Sequence, residues 1–177
     1  MEKRRKSAAD EYLALDDRSM LQQCDVDHFR SSGPGGQKRN KTSSAVRLRH
    51  RPTGLAVTAV EQRSQHDNKR RALRRLRAAI ALGVRTPIEL DGYTKSDLLA
   101  SCLSAEGRLC VGRRDHRYHA AVCEILDLLA AYTGRVSDTA RQIGVSTANL
   151  ATFIRNDPKL LVCVNRMRSE AGVKPLR

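Results

Sequence analysis

The spacing of hydrophobic and polar positions changes character along the chain. Residues 1 to about 15 carry no sustained apolar pattern and read as a frayed or partly helical lead-in. Asp17 can cap a short helix with Met20, Leu21 and Cys24 on one side. From Asp25 to Arg30 apolar and polar positions alternate loosely, with Val26 and Phe29 as anchors, which predicts a strand. From Ala45 to His50 the alternation is clean: Val46 and Leu48 face one way, Arg47 and Arg49 the other, the mark of a half-buried strand. Arg51-Pro52-Thr53-Gly54 has turn chemistry, and Leu55 to Val60, rich in β-branched residues, runs back as a second strand. Two antiparallel strands need a cover to be stable. Ser64 to Leu82 supplies it, with Asp67 and Asn68 near its start and Leu73, Leu76 and Ile80 at helical spacing.

Gly83, Pro87 and Gly92 then mark a linker, and beyond it every period is helical. Ser96 can cap a short helix with Leu98, Leu99 and Leu103. Asp115 can open a longer one striped by Tyr118, Val122, Ile125 and Leu129, ended by Gly134. Val136 to Gly144 and Ser146 to Arg155 form two helices about a Gly144-Val145 turn, where Ala140, Gly144 and Leu150 suit a helix-turn-helix-like pair. Pro158 starts a last helix to about Ala171, with Leu161, Val164 and Met167 as its stripe. The expected class is α+β: a small antiparallel sheet with a covering helix and a protruding loop, then an all-α domain. The expected boundaries are 1–85 for the first domain, 86–93 for the linker and 94–177 for the helical domain.

Charge narrows the partner. The formal net charge is +14 over 177 residues. Arg30 to Arg85 holds 15 Lys or Arg against Glu61 and Asp67, 15 − 2 = +13. A basic region this concentrated points to nucleic acid, and the arginine run Arg70, Arg71, Arg74, Arg75 and Arg77 becomes an RNA-contact candidate rather than a merely solvated helix face. No apolar run is long enough to span a membrane. Five cysteines, odd in number and without C-x-x-C spacing, read as reduced and mostly buried thiols. The start resembles neither a signal peptide nor an acid-poor transit peptide, so the cytoplasm is the expected compartment.

Between the first strand and the second lies Ser31-Ser32-Gly33-Pro34-Gly35-Gly36-Gln37. Three glycines and a proline in five positions hold neither helix nor strand. Gly35 and Gly36 lack a Cβ and allow close approach to a ligand, Pro34 stiffens the entry, and Gln37 stands at the tip. Lys38, Arg39 and Lys41 follow, cations suited to phosphate. No Ser-His-Asp or Cys-His pairing, metal-ligand cluster or nucleotide-cradling loop is visible, so neither metal nor cofactor is expected. His50, inside a strand, reads as a packed or hydrogen-bonding histidine rather than a base.

The ordered set from Phe29 to Ala72 resembles the catalytic domain of class I peptide chain release factors and related ribosome-rescue hydrolases. It comprises the Ser-Gly-x-Gly-Gly-Gln loop, Asn40, Ser44-Ala45-Val46-Arg47, His50, Pro52-Thr53-Gly54, Arg63-Ser64-Gln65 and Asn68. The resemblance implies hydrolysis of the peptidyl-tRNA ester in the peptidyl-transferase centre, with the ribosome and peptidyl-tRNA as partners. It assigns catalysis to Gly35, Gly36 and Gln37, the Gln37 backbone N–H serving the departing oxygen. Lys38, Arg39, Lys41, Arg47, Arg49, Arg70, Arg71, Arg74 and Arg75 are the RNA-binding candidates. Ser32, Gly33, Pro34, Asn40, Arg63, Ser64, Gln65 and Asn68 are read as bracing the loop.

Stop-codon-dependent members carry a codon-reading domain, and the residues before Phe29 are too few to hold one. The expected activity is therefore codon-independent release on stalled ribosomes. Two alternatives stand beside it: a non-enzymatic RNA- or ribosome-binding protein, and a DNA-binding regulator using Thr147, Ala148, Asn149 and Thr152 on the second helix of the pair. Only Arg155 on that helix is cationic, which speaks against DNA.

Overall fold

The computed structural model describes residues 8–30 and 44–177. In chain order these form α1 (Ala8–Leu13), α2 (Asp17–Gln22), β1 (Cys24–Phe29), β2 (Ala45–His50), β3 (Ala56–Ala59) and α3 (Gln65–Gly83). They continue as α4 (Asp97–Ser101), α5 (Tyr118–Ala131), α6 (Val136–Ile143), α7 (Thr147–Arg155) and α8 (Pro158–Glu170). The α+β class is what the structure has. The chain divides into two compact units: residues 12–84, and residues 85–177 together with the start of the chain. The expected protruding loop falls on residues 31–43, outside the described residues.

In the first unit the three strands pair antiparallel in the order β1-β2-β3. Phe29 lies opposite Ala45 and Cys24 opposite His50; on the other side Val46 faces Ala59 and Leu48 faces Val57. Because side chains alternate along a strand, one sheet face gathers Val26, Val46, Leu48 and Ala59 and the other Asp25, Asp27, Arg47 and Arg49. Helix α3 packs across β2 and β3. It buries Ala72, Leu73, Leu76, Ile80 and Ala81 with Val46 and Leu48. Each Val, Leu or Ile among them, removed from water, contributes about 1.5–3 kcal/mol. Ser64 caps α3, its hydroxyl accepting from the Asp67 amide at 3.3 Å. Gly54 takes a φ of +70° in the β2–β3 turn, a conformation that Gly alone adopts without strain.

Two sequence expectations shift here. The cap of α2 is Asp16, whose carboxylate accepts from Ser19 N at 2.7 Å, and Asp17 is the first helical residue. Val26 and Phe29 are three apart in a strand and therefore lie on opposite faces, so they do not anchor it together.

The second unit is built around α5, which is buried on nearly every side from Ala121 to Leu129 rather than along a stripe. Its two buried carboxylates explain why. Glu124 accepts from Tyr93 Oη and from both the amide and the hydroxyl of Ser96, while Asp127 accepts from Arg85 Nη1 at 2.9 Å and Thr86 N at 3.2 Å. The stretch read as a linker thus has no regular structure of its own and is tied to α5 by side chains at both ends. Asp115 does not cap α5; its carboxylate is held by the Arg117 guanidinium and amide, which keep it well below the usual carboxylate range. In α8, begun by Pro158 behind the cap Asp157, the buried positions are Leu160, Cys163 and Val164 rather than Leu161, Val164 and Met167. Cys24, Cys102, Cys123 and Cys163 are buried free thiols and Cys110 is exposed.

Candidate nucleic-acid interface

The expected catalytic residues Gly35, Gly36 and Gln37, with Ser32, Gly33, Pro34, Lys38, Arg39, Asn40 and Lys41, lie outside the described residues. What the structure places is the base from which that segment departs. β1 ends at Phe29 and β2 begins at Ala45, its cross-strand partner, so the segment's two ends leave the same end of the same strand pair.

Asn68 fastens this base. It is fully buried in the first turn of α3. Its Nδ2 donates to Ser44 O at 2.6 Å and to Gln62 O at 2.9 Å, and its Oδ1 accepts from Gln62 N at 2.9 Å. One amide side chain therefore joins the helix start, the β3–α3 connection and the residue that precedes β2. Ser64 supports it through the cap. Arg63 and Gln65 are exposed beside it.

His50 is wholly buried at the far end of β2. Its Nε2 lies 3.0 Å from Gln23 Oε1 and its Nδ1 2.9 Å from Thr53 Oγ1, and the Tyr12 ring meets it edge-on. The Gln23 oxygen accepts, so Nε2 carries the proton and Nδ1 receives the Thr53 hydroxyl. Burial, with Arg51 adding to it, pushes the imidazole below its ordinary range. Both ring nitrogens are occupied and the neutral form is favoured: a structural histidine, not a base.

The cations divide in a way the sequence does not announce. Arg47 and Arg49 are exposed on the open sheet face, but they stand opposite Asp27 and Asp25 in the β1–β2 register. Arg51 pairs with Asp25 at 3.0 Å, and the Arg47 guanidinium lies 5.5 Å from the Phe29 ring centroid. That face is of mixed charge rather than cationic. Counting from Arg30 onward leaves out the acidic strand that precedes it. On α3, Arg75 donates to Thr58 O and to the Glu61 carboxylate, which it holds below its usual range. Arg77 bonds Asp17 at 2.6 Å and Leu15 O at 2.9 Å. Arg70, Arg71 and Arg74 make no salt bridge among the described residues. With Gln62 and Asp67 they line an open depression of about 280 Å³. Asp67 figures in the sequence as a residue near the helix start and Gln62 not at all; only the one-turn spacing of Asp67 from Arg70 and Arg71 hints at a shared site.

In the second unit the α6–α7 pair has helix-turn-helix geometry, with Gly144 at a φ of +81° and Ser146 capping α7. Its turn is already occupied. Lys95 Nζ donates to Ile143 O at 2.9 Å, and a Cβ on Gly107 would lie 2.9 Å from Gly144 O. Asn149 Oδ1 accepts from Leu109 N at 2.9 Å. Arg155 bonds Thr152 Oγ1 and Arg177 O. Two of the four candidate base-reading side chains, Asn149 and Thr152, are thus engaged within the unit. The arrangement is that of a packing corner.

Residues 19–92, which hold the three-stranded sheet, its basic covering helix and the Gly-Gly-Gln sequence, match the RF-1 domain model and are similar to the catalytic domain of class I release factors. The chain is 62% identical over 55 residues to peptide chain release factor 1 of Brachyspira hyodysenteriae, which covers 31% of this chain and 15% of that protein. It is 48% identical over 71 residues to peptide chain release factor 1 of Chlamydia abortus, covering 40% and 19%. It is 47% identical over 78 residues to peptide chain release factor 2 of Paramagnetospirillum magneticum, covering 42% and 21%. The chain therefore spans about a fifth or less of the length of these curated relatives. No described helix is long and apolar enough to cross a membrane.

Proposed function

We propose that this protein is a peptidyl-tRNA hydrolase that acts with the ribosome, in the cytoplasm, and without direction from a stop codon. The observation that carries the reading is the RF-1 domain at residues 19–92, which contains Gly35-Gly36-Gln37 intact. Glutamine is neither acid nor base at neutral pH, so the tip acts by position. In this reading the Gln37 backbone N–H stabilises the departing ribose oxygen while its side chain shapes the place of the attacking water. One such donor is typically worth ~10²–10³ in rate. The glycines let the backbone turn that N–H inward without a Cβ against RNA. His50, buried and doubly bonded, is not offered as a base, consistent with chemistry that draws its order and desolvation from peptidyl-transferase-centre RNA. Asn68 and Ser64 hold the base of the loop.

The shared stretch is one domain long, and much of the remaining chain is a helical unit outside the RF-1 domain. The test is release of labelled peptide from ribosomes carrying peptidyl-tRNA, with a stop codon in the decoding site or with none. Equal release in both, lost in Gly36→Ala, is the expected result. Release only with a stop codon removes codon independence. RNA binding with no release from either leaves the non-enzymatic reading.

A further inference from the structure

The arginine run on α3 reads as one basic face in sequence, yet the fold separates it. Arg75 and Arg77 are taken up by Glu61, Thr58 O, Asp17 and Leu15 O. Arg70, Arg71 and Arg74, at i, i+1 and i+4, share a depression of about 280 Å³ with Gln62 and Asp67. At about 30 Å³ per water, that is room for a phosphodiester group with several waters, not for a single solvent molecule. Every lining residue is polar or charged. The depression offers no apolar wall to a base, an acyl chain or an aromatic anion, and its guanidinium forks match phosphate oxygens. Asp67 sits three and four residues before Arg70 and Arg71, the spacing at which helical ion pairs form, and it makes none with them. The wall is also fixed, because Asn68 bonds both the N–H and the C=O of Gln62.

We infer that Arg70, Arg71 and Arg74 form a discrete site for an RNA phosphodiester, that Asp67 weakens it, and that Arg75 and Arg77 serve the fold instead. This rests on reading the RF-1 domain as RNA-facing, and it goes beyond that reading by separating binding arginines from structural ones. Three arginines against one carboxylate leave the site a net +2, 3 − 1. Asp67 keeps the contact reversible.

The test uses the full chain and a fluorescent single-stranded oligoribonucleotide, titrated by anisotropy across a KCl series. The variant Arg70→Ala/Arg71→Ala/Arg74→Ala is expected to lose about 0.7 from the slope of log K against log salt, the value for one phosphate contact on a single strand, with its melting temperature unchanged. Asp67→Asn is expected to bind several-fold more tightly. Arg75→Ala and Arg77→Ala are expected to melt earlier and keep the wild-type slope. A wild-type slope in the triple variant, an unchanged affinity in Asp67→Asn, or an equal loss of slope in Arg75→Ala overturns the inference. So does a triple variant that loses only its binding to phosphatidylserine vesicles. Wild-type RNA binding without peptide release, in contrast, defeats the proposed reaction and leaves this site standing.

Discussion

The two units handle charge in opposite ways. The helical unit takes charge inside: Glu124 and Asp127 on α5 are each about 1% exposed, and hydroxyls, amides and the Arg85 guanidinium satisfy them. The sheet unit fully buries only polar groups that are neutral, His50 and Asn68, among the described residues, and its arginines are exposed or half-buried. A buried charge is bound to its partner by the penalty of leaving either alone. A surface guanidinium that forms no ion pair is open to a polyanion that arrives from outside. Charge in the helical unit is bound inside, whereas in the sheet unit it is divided between paired arginines and open ones.

This contrast can be broken by removing single partners. Arg85→Met removes the guanidinium that faces the buried Asp127 carboxylate. It is expected to destabilise the helical unit by about 3–5 kcal/mol, read as lost hydrogen-exchange protection of the α5 amides. Asn68→Ala strands the Gln62 amide and the Ser44 carbonyl and is expected to cost about 1–3 kcal/mol by urea unfolding of the sheet unit. Ser64→Ala removes the α3 cap for about 1 kcal/mol. His50 sharpens the comparison through pH rather than through an offset. Its folded-state pKa lies below its ordinary value of 6.5, so the unfolded chain takes up the proton more readily. Stability from the neutral ring is present above that value and is lost as pH falls through it. A melting-temperature curve that stays flat for this unit between pH 7.5 and 5, as about the range in which imidazoles titrate, would contradict the assignment.

Much of the fold was legible because local signals agreed with tertiary ones. Ala45 to His50 alternates cleanly, and its observed bounds are the expected ones. Ser64 with α3, Ser96 with α4, the Gly144 turn and Pro158 at the start of α8 follow from cap and turn chemistry that acts within a few residues. What was hidden depended on partners far along the chain. Periodicity marks the face of a helix that has a wet side; α5 has almost none, and its carboxylates look exposed until Arg85 and Ser96 are placed against them. In α8 the stripe was set one position late at its start, since Leu160 and Leu161 are equally apolar and only packing chooses. Among the site residues, the arginines were recognisable as cations. Their division into bound and open ones was not, because Glu61 and Asp17 lie 14 and 60 residues from Arg75 and Arg77. The acidic partners of Arg47 and Arg49 likewise sit in β1 and become visible only through the register.

The most direct measurement is the single-turnover rate of peptide release at saturating protein, comparing Gln37→Ala with Gln37→Pro. Alanine keeps the backbone N–H at position 37 and proline removes it. A backbone donor at the scissile ester predicts a loss of about 10²–10³ for proline and a clearly smaller one for alanine. Equal losses, or a larger one for alanine, would place the chemistry in the glutamine side chain and contradict the account.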